Sequence, residues 1–190
     1  MFKDKTIQQY NDLLASKSPT PGGGSALPVV GAVAVSLAEM AANVTLAKYA
    51  DYEYAEQLTQ AAKVLGMCKN KLYSLADEDS VAFDGIVAAM RLPKDNEQQR
   101  EQRRNALEKQ YHKAALVPIE VMQVCRRAVD CIEKCMPYFY AYVASDAVIG
   151  VDLLRTVIAD SKHNVLANTS LLSDQTLKHR LEREADLALS

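Results

Sequence analysis

Apolar side chains recur along this chain at steps of three and four, the period at which an amphipathic α-helix buries one face. Ile7, Tyr10, Leu13 and Leu14 mark a short first helix over residues 5 to 16. A largely apolar run predicts a second helix from Ser25 to about Lys48. The third, from about Asp51 to Arg91, has an inward stripe of Leu65, Cys68, Leu72, Leu75, Asp79, Phe83, Ile86 and Met90. Leu92-Pro93 then stops it. Asp95 opens the fourth, with Gln98 at the capping-box position, and a seam of Leu107, Tyr111, Ala114, Pro118, Val121, Cys125, Ala128 and Ile132 follows. Pro118 should kink this helix, and Met136-Pro137 should end or bend it. A fifth carries Val148, Val151, Leu154 and Ile158 as far as about Leu171, and Ser173 is placed to cap a last helix ending near Leu189.

No stretch reads convincingly as a strand. The pattern predicts an all-α fold, an elongated antiparallel bundle with long central helices, formed by residues 1 to 190 as a single domain. Heptad-like seams on so few residues leave apolar surface over, so a homodimer whose interface continues the bundle is expected.

Composition narrows the class. Of the 190 residues, 49% are hydrophobic and 24% charged, and the net charge of -2 argues against nucleic acid as the main partner. The apolar run Ala26 to Ala38 is interrupted by Pro28, Gly31 and Ser36 and stopped by Glu39, short of the ~20 residues that span a bilayer. The polar start Met-Phe-Lys-Asp-Lys-Thr is unlike a signal peptide, so a cytoplasmic protein with no membrane partner is expected. Cys68, Cys125, Cys131 and Cys135 contain no C-x-x-C pair and read as buried free thiols. His112, His163 and His179 lack metal-ligand spacing, so no metal site is expected.

Three features could carry chemistry. Pro19-Thr20-Pro21-Gly22-Gly23-Gly24-Ser25 is a proline arm entering a bare backbone loop, and Ser25 stands where an N-cap would. Unpaired N–H groups and the positive dipole end there favour an anionic or carbonyl-rich ligand. Pro28 removes the N3 donor, which leaves the Ser25 hydroxyl free for such a ligand. A tight interhelical connection is the other reading. The loop lacks the Gly-Lys-Ser/Thr of a nucleotide-binding P-loop. The second feature is Asp79, an acid on an apolar stripe. It must be paired, hydrogen-bonded or protonated, which suits a general acid/base, or an N-cap-like or dimer-interface aspartate paired with Lys or Arg. Asp77 and Glu78 turn away from that stripe and read as solvated acids. Third, Asp146, Asn164 and Asn168 share a face of the fifth helix, but 18 residues separate the first two by about 27 Å. They would serve two subsites, a two-fold interface or ordinary interhelical contacts. Arg100, Arg103 and Arg104 form a charged face able to hold a polyanion.

These residues together resemble the formiminotransferase-cyclodeaminase C-terminal family, also called the cyclodeaminase/cyclohydrolase family. The likeness covers nearly the whole chain. It rests on Ser16 to Ser25, Asp77-Glu78-Asp79-Ser80-Val81-Ala82-Phe83, Ala89 to Lys94, Arg103 to Leu107, Val117-Pro118, Ser145-Asp146, Asn164 and Asn168. The resemblance implies an all-helical homodimer acting on tetrahydrofolates, with no separate cofactor. Some members convert 5-formiminotetrahydrofolate to 5,10-methenyltetrahydrofolate and ammonia, and others hydrolyse the methenyl compound. It implies Asp79 as the catalytic residue. Pro21, Gly22, Gly23, Gly24, Ser25, Lys48, Ser145, Asp146, Asn164 and Asn168 would bind substrate, with Lys48 and the arginines nearer the glutamate tail. The chain departs from the family at Pro28, at Ala47 and at Phe139-Tyr140, all beside the expected pocket. A cyclohydrolase, or a non-catalytic helical dimer binding folate or a protein, is the alternative.

Overall fold

The computed structural model describes residues 1–49 and 51–189. Among the described residues there are six α-helices and no strand, as the apolar periodicity requires. They are α1 (Ile7–Leu14), α2 (Gly23–Lys48), α3 (Ala55–Met90), α4 (Glu97–Cys135), α5 (Ala141–Thr169) and α6 (Gln175–Leu189). Helices α2 to α5 form an antiparallel ring in which each packs on its sequence neighbour and α2 closes on α5. Helix α6 lies along α4 and α5. Leu65, Leu72 and Leu75 of α3, Met122 and Ile132 of α4, and Leu154 and Val157 of α5 are shielded from solvent at its centre. Burial of each larger side chain contributes roughly 1.5–3 kcal/mol.

Where α2 meets α5 the backbones nearly touch. A Cβ at Gly150 would come within 2.7 Å of the Ala34 carbonyl oxygen. The approach is possible because residue 150 has no Cβ, and the Leu37 Cβ lies beside the same spot.

Several expected boundaries are corrected. A capping box formed by Thr6 and Gln9 starts α1, and α1 stops at Leu14 rather than residue 16. Helix α2 begins at Gly23 with Gly22 as its N-cap, so Ser25 lies inside the first turn and caps nothing. Tyr54 precedes α3, which therefore starts after Asp51. Asn96, not Asp95, caps α4 by accepting the Gln99 N–H. Helix α4 includes Pro118, as its seam predicts, and α5 ends at Thr169 before Leu171. Asp174, not Ser173, accepts the Leu177 N–H at the start of α6. The Ser173 hydroxyl instead donates to Glu108. On the α3 stripe, Phe83 and Met90 are exposed.

The apolar run beginning at Ala26 is broken at Glu39, but the helix is not. Glu39 pairs with Lys69 of α3, so the charge is accommodated and α2 continues to Lys48. By length and composition alone α2 is able to cross a membrane, and 44% of that stretch is buried inside the molecule. All four cysteines are free, three of them buried. Burial pushes the Cys125 thiol up to about 12, out of reach of thiolate chemistry.

Candidate active site

The start of α2 and the middle of α3 meet around one carboxyl. The three glycines take ordinary helical or extended backbone, since no glycine among the described residues has positive φ. What the site requires at Gly24 is room. A Cβ there would stand 2.1 Å from Asp79 Oδ1, so the carboxyl fits only against a bare Cα. Ser25, fully buried, donates through Oγ to Asp79 Oδ2 at 2.8 Å, and its Oγ lies 3.2 Å from that of Ser80. The hydroxyl is therefore committed to Asp79 rather than free for a ligand.

Burial pushes the Asp79 carboxyl above its ordinary value, because the ionised form loses its water. The Ser25 hydrogen bond favours ionisation and offsets this only in part. The buried residue of α1, Tyr10, lies close enough to be affected. Burial first, and then the Asp79 charge, raise its phenol, and its hydroxyl finds no protein partner. Phe2 holds this corner shut. Its ring packs edge-on to Tyr10 at 5.4 Å and its N–H donates to Asp77 Oδ1 at 2.8 Å. Asp77 is thus not the solvated acid expected, and its Oδ2 is buried without a protein partner.

Asp79 opens into a cleft of about 200 Å³. Pro19, Thr20, Gly22 and Gly24 form one wall, Asp79, Phe83 and Ile86 a second, and Ala114, Asn164, Ala167 and Asn168 a third. The Asn168 amide donates to the Ala114 carbonyl at 3.1 Å, which ties α5 to α4 at the cleft floor. One helical turn away, beginning at Tyr111 and Leu171, lies a second cleft of about 410 Å³ carrying Lys94, Arg100, Arg103 and Arg104. Among the described residues no group of three His, Cys, Asp or Glu side chains gathers to hold a metal ion.

Of the residues expected at the site, the chain brings together Gly22, Gly24, Ser25, Asp79, Asn164 and Asn168. Pro21 is buried behind the loop and Gly23 is exposed on the first turn of α2. Lys48, Ser145 and Asp146 are elsewhere. Lys48 follows Ser25 by 23 helical residues, about 35 Å along α2, and its ammonium sits 5.6 Å from the Tyr140 ring centre. Ser145 and Asp146 belong to the first turns of α5, at that same far end. Sequence reading missed Ser80 and Tyr10. Ser80 directly follows Asp79, but only the approach of Ser25, 55 residues earlier, turns its hydroxyl to use.

A half-buried acid held towards its protonated form, in a cleft of a strandless helical bundle, belongs to the class of sites that acid–base enzymes use. Comparison with known proteins gives the family. The sequence profile described as formiminotransferase-cyclodeaminase matches residues 6–187, and the chain belongs to this family. It is 28% identical to a methenyltetrahydrofolate cyclohydrolase of Methylorubrum extorquens over 98% of this chain and 89% of that one. It is 23% identical to the formimidoyltransferase-cyclodeaminase of Rattus norvegicus over 93% of this chain, and spans only 33% of that longer protein. The crystal structure of a formiminotetrahydrofolate cyclodeaminase from Thermotoga maritima superimposes with a TM-score of 0.87 at 30% identity, covering 99% of this chain and 90% of that one.

Proposed function

We propose that this chain is a one-carbon folate enzyme that closes 5-formiminotetrahydrofolate to 5,10-methenyltetrahydrofolate with release of ammonia. Asp79 is its general acid–base. The observation that carries the reading is the raised Asp79 carboxyl opening into the cleft between the Pro19–Gly24 loop and Asn164. In the reaction N10 attacks the formimino carbon and gives up its proton as the new C–N bond forms. The formimino nitrogen must then gain two protons to leave as ammonia, one equivalent to that lost by N10 and one from solvent. Asp79 passes these protons, a contribution typically of about 10²- to 10⁴-fold in rate. A 200 Å³ cleft is small for a folate, and the adjoining cationic cleft supplies length and charge for the glutamate end.

Hydrolysis of the methenyl compound is the second reading, favoured by the near full-length match to the Methylorubrum extorquens cyclohydrolase. Following methenyl absorbance with each folate distinguishes the two. Formation with ammonia release supports the first, and loss supports the second. Asp79→Asn should lower kcat by at least about 10²-fold in either case. Full turnover by the folded variant sinks the assignment of Asp79.

The active unit is a homodimer. Ala26, Val30, Val33, Leu37, Met40 and Val44 form a stripe with 4-3-4-3-4 spacing on the outside of α2, partly or fully exposed along its length. Such a seam seats a second helix. Its spacing reads the same in both directions about Val35, so a second copy laid antiparallel matches it in full. Lys48 of the partner subunit then faces Gly22, which accounts for the distance between Lys48 and the cleft within one chain.

A further inference from the structure

Beside an ionised Asp79 the two hydroxyls can be oriented by proton counting. Each serine hydroxyl carries one proton and two lone pairs. Ser25 donates its proton to Asp79 Oδ2 at 2.8 Å, so across the 3.2 Å to Ser80 it can only accept. Ser80 is therefore the donor in that pair. The hydrogen bonds run one way, from Ser80 to Ser25 to Asp79 Oδ2, and Ser25 at their centre has 0% of its surface exposed. In such a chain each bond polarises the next, and shielding from water strengthens both.

We propose that Ser25 and Ser80 form a one-way hydroxyl relay that positions Asp79 and confines its exchangeable proton to Oδ1. Oδ2 is held as an acceptor in both states of the acid. Against an ionised carboxylate it takes a charge-assisted bond from Ser25, and against the neutral acid it serves as the carbonyl oxygen. The proton gained or lost is then always on Oδ1. That atom lies against the bare Cα of Gly24, in the wall of the cleft. Ser25 and Ser80 touch no substrate in this scheme and are positioning residues. Among the groups packed around Asp79, Tyr10 of α1 is titratable, whereas α2 presents Gly24 and Ser25, α4 presents Ala114, and α5 presents Asn164 and Asn168. The fixed charges of Lys94, Arg100, Arg103 and Arg104 begin a turn further on, so burial and the opposing Ser25 hydrogen bond, rather than a nearby ion, set the acid locally.

The consequence for the reaction rests on the acid–base reading of Asp79, but the relay itself does not. It is tested by carbon-13 NMR titration of the full chain labelled at aspartate carboxyls, with Asp79→Asn to assign the signal. Ser80→Ala should move Asp79 further up, by about threefold in its ionisation constant, and Ser25→Ala by about tenfold. Ser80→Thr, which keeps the hydroxyl, should return the titration to that of the native chain. Turnover should follow the same order, with kcat falling and KM for the folate steady. An Asp79 titration unchanged in both alanine variants, with native helical circular dichroism, overturns the relay. If the buried Ser25→Ala fails to fold, Ser80→Ala and Ser80→Thr decide alone. A native chain inactive on both folates would refute the proposed function and leave the titration to judge the relay. Turnover with an unmoved titration would refute the relay only.

Discussion

Asp79 is an acid that the fold makes weaker, and that has a thermodynamic signature. Between its ordinary value and the raised value in the folded chain, the folded state keeps a proton that the unfolded state has released. Stability therefore falls as pH rises through that window, and the cost remains at every higher pH. Asp79→Asn removes the titration while keeping the shape. The variant should melt at a higher temperature than the native chain at neutral pH, with the gap closing as pH drops below the ordinary carboxylate range. Thermal melts at a series of pH values measure this, and a gap independent of pH would contradict it. The loss of activity and the gain in stability would then come from the same carboxyl, as expected where function strains a local environment.

At the scale of elements, α2 and α5 cross with little room to spare at Gly150. Gly150→Ala would drive a methyl against the Ala34 carbonyl, a backbone atom that cannot swing aside. The expected cost is about 1–3 kcal/mol, read as a lower urea midpoint with unchanged slope. An unaltered midpoint would mean that the helices separate there without penalty. The same packing explains what the sequence revealed and what it did not. The 3 and 4 steps of Leu65, Leu72 and Leu75 mark α3 because burial imposes its period on the residues themselves. Asp79 was legible for the same reason, as a break in that pattern. Which of two neighbouring polar residues becomes the cap, Asn96 or Asp95, depends on backbone geometry at one peptide and leaves no periodic trace. Ser25 was misread because a serine before an apolar run has the form of a cap, while its actual partner lies 54 residues away. The seam on α2 escaped notice because that helix is apolar nearly all round. Only the placement of α3 and α5 against it shows which stripe is left uncovered.

For the whole molecule, the uncovered stripe makes oligomeric state and activity one question. Val33, 54% exposed near the centre of the α2 seam, should tolerate a charge in an isolated chain. In an antiparallel pair it would bring two like charges into an apolar contact. Val33→Glu is therefore expected to shift sedimentation from dimer to monomer with helical content kept. On the proposed pairing, folate turnover should fall with it, because each cleft would lose the lysine that the pairing brings to it. A native chain that sediments as a monomer while fully active would end the dimer proposal. So would a fully active monomeric variant.

The end of the bundle that holds Lys48 also gathers Tyr49, Tyr52, Tyr54, Tyr138, Tyr140 and Tyr142 into a continuous set of ring contacts. These are six of the nine tyrosines, and the chain has no tryptophan. Its native ultraviolet emission is thus dominated by one end of the bundle and is blind to wavelengths that only indole absorbs. A tryptophan at Phe83, in the wall of the Asp79 cleft, would add a signal free of background. The protein is in this sense already dark where an observer would want to place a lamp.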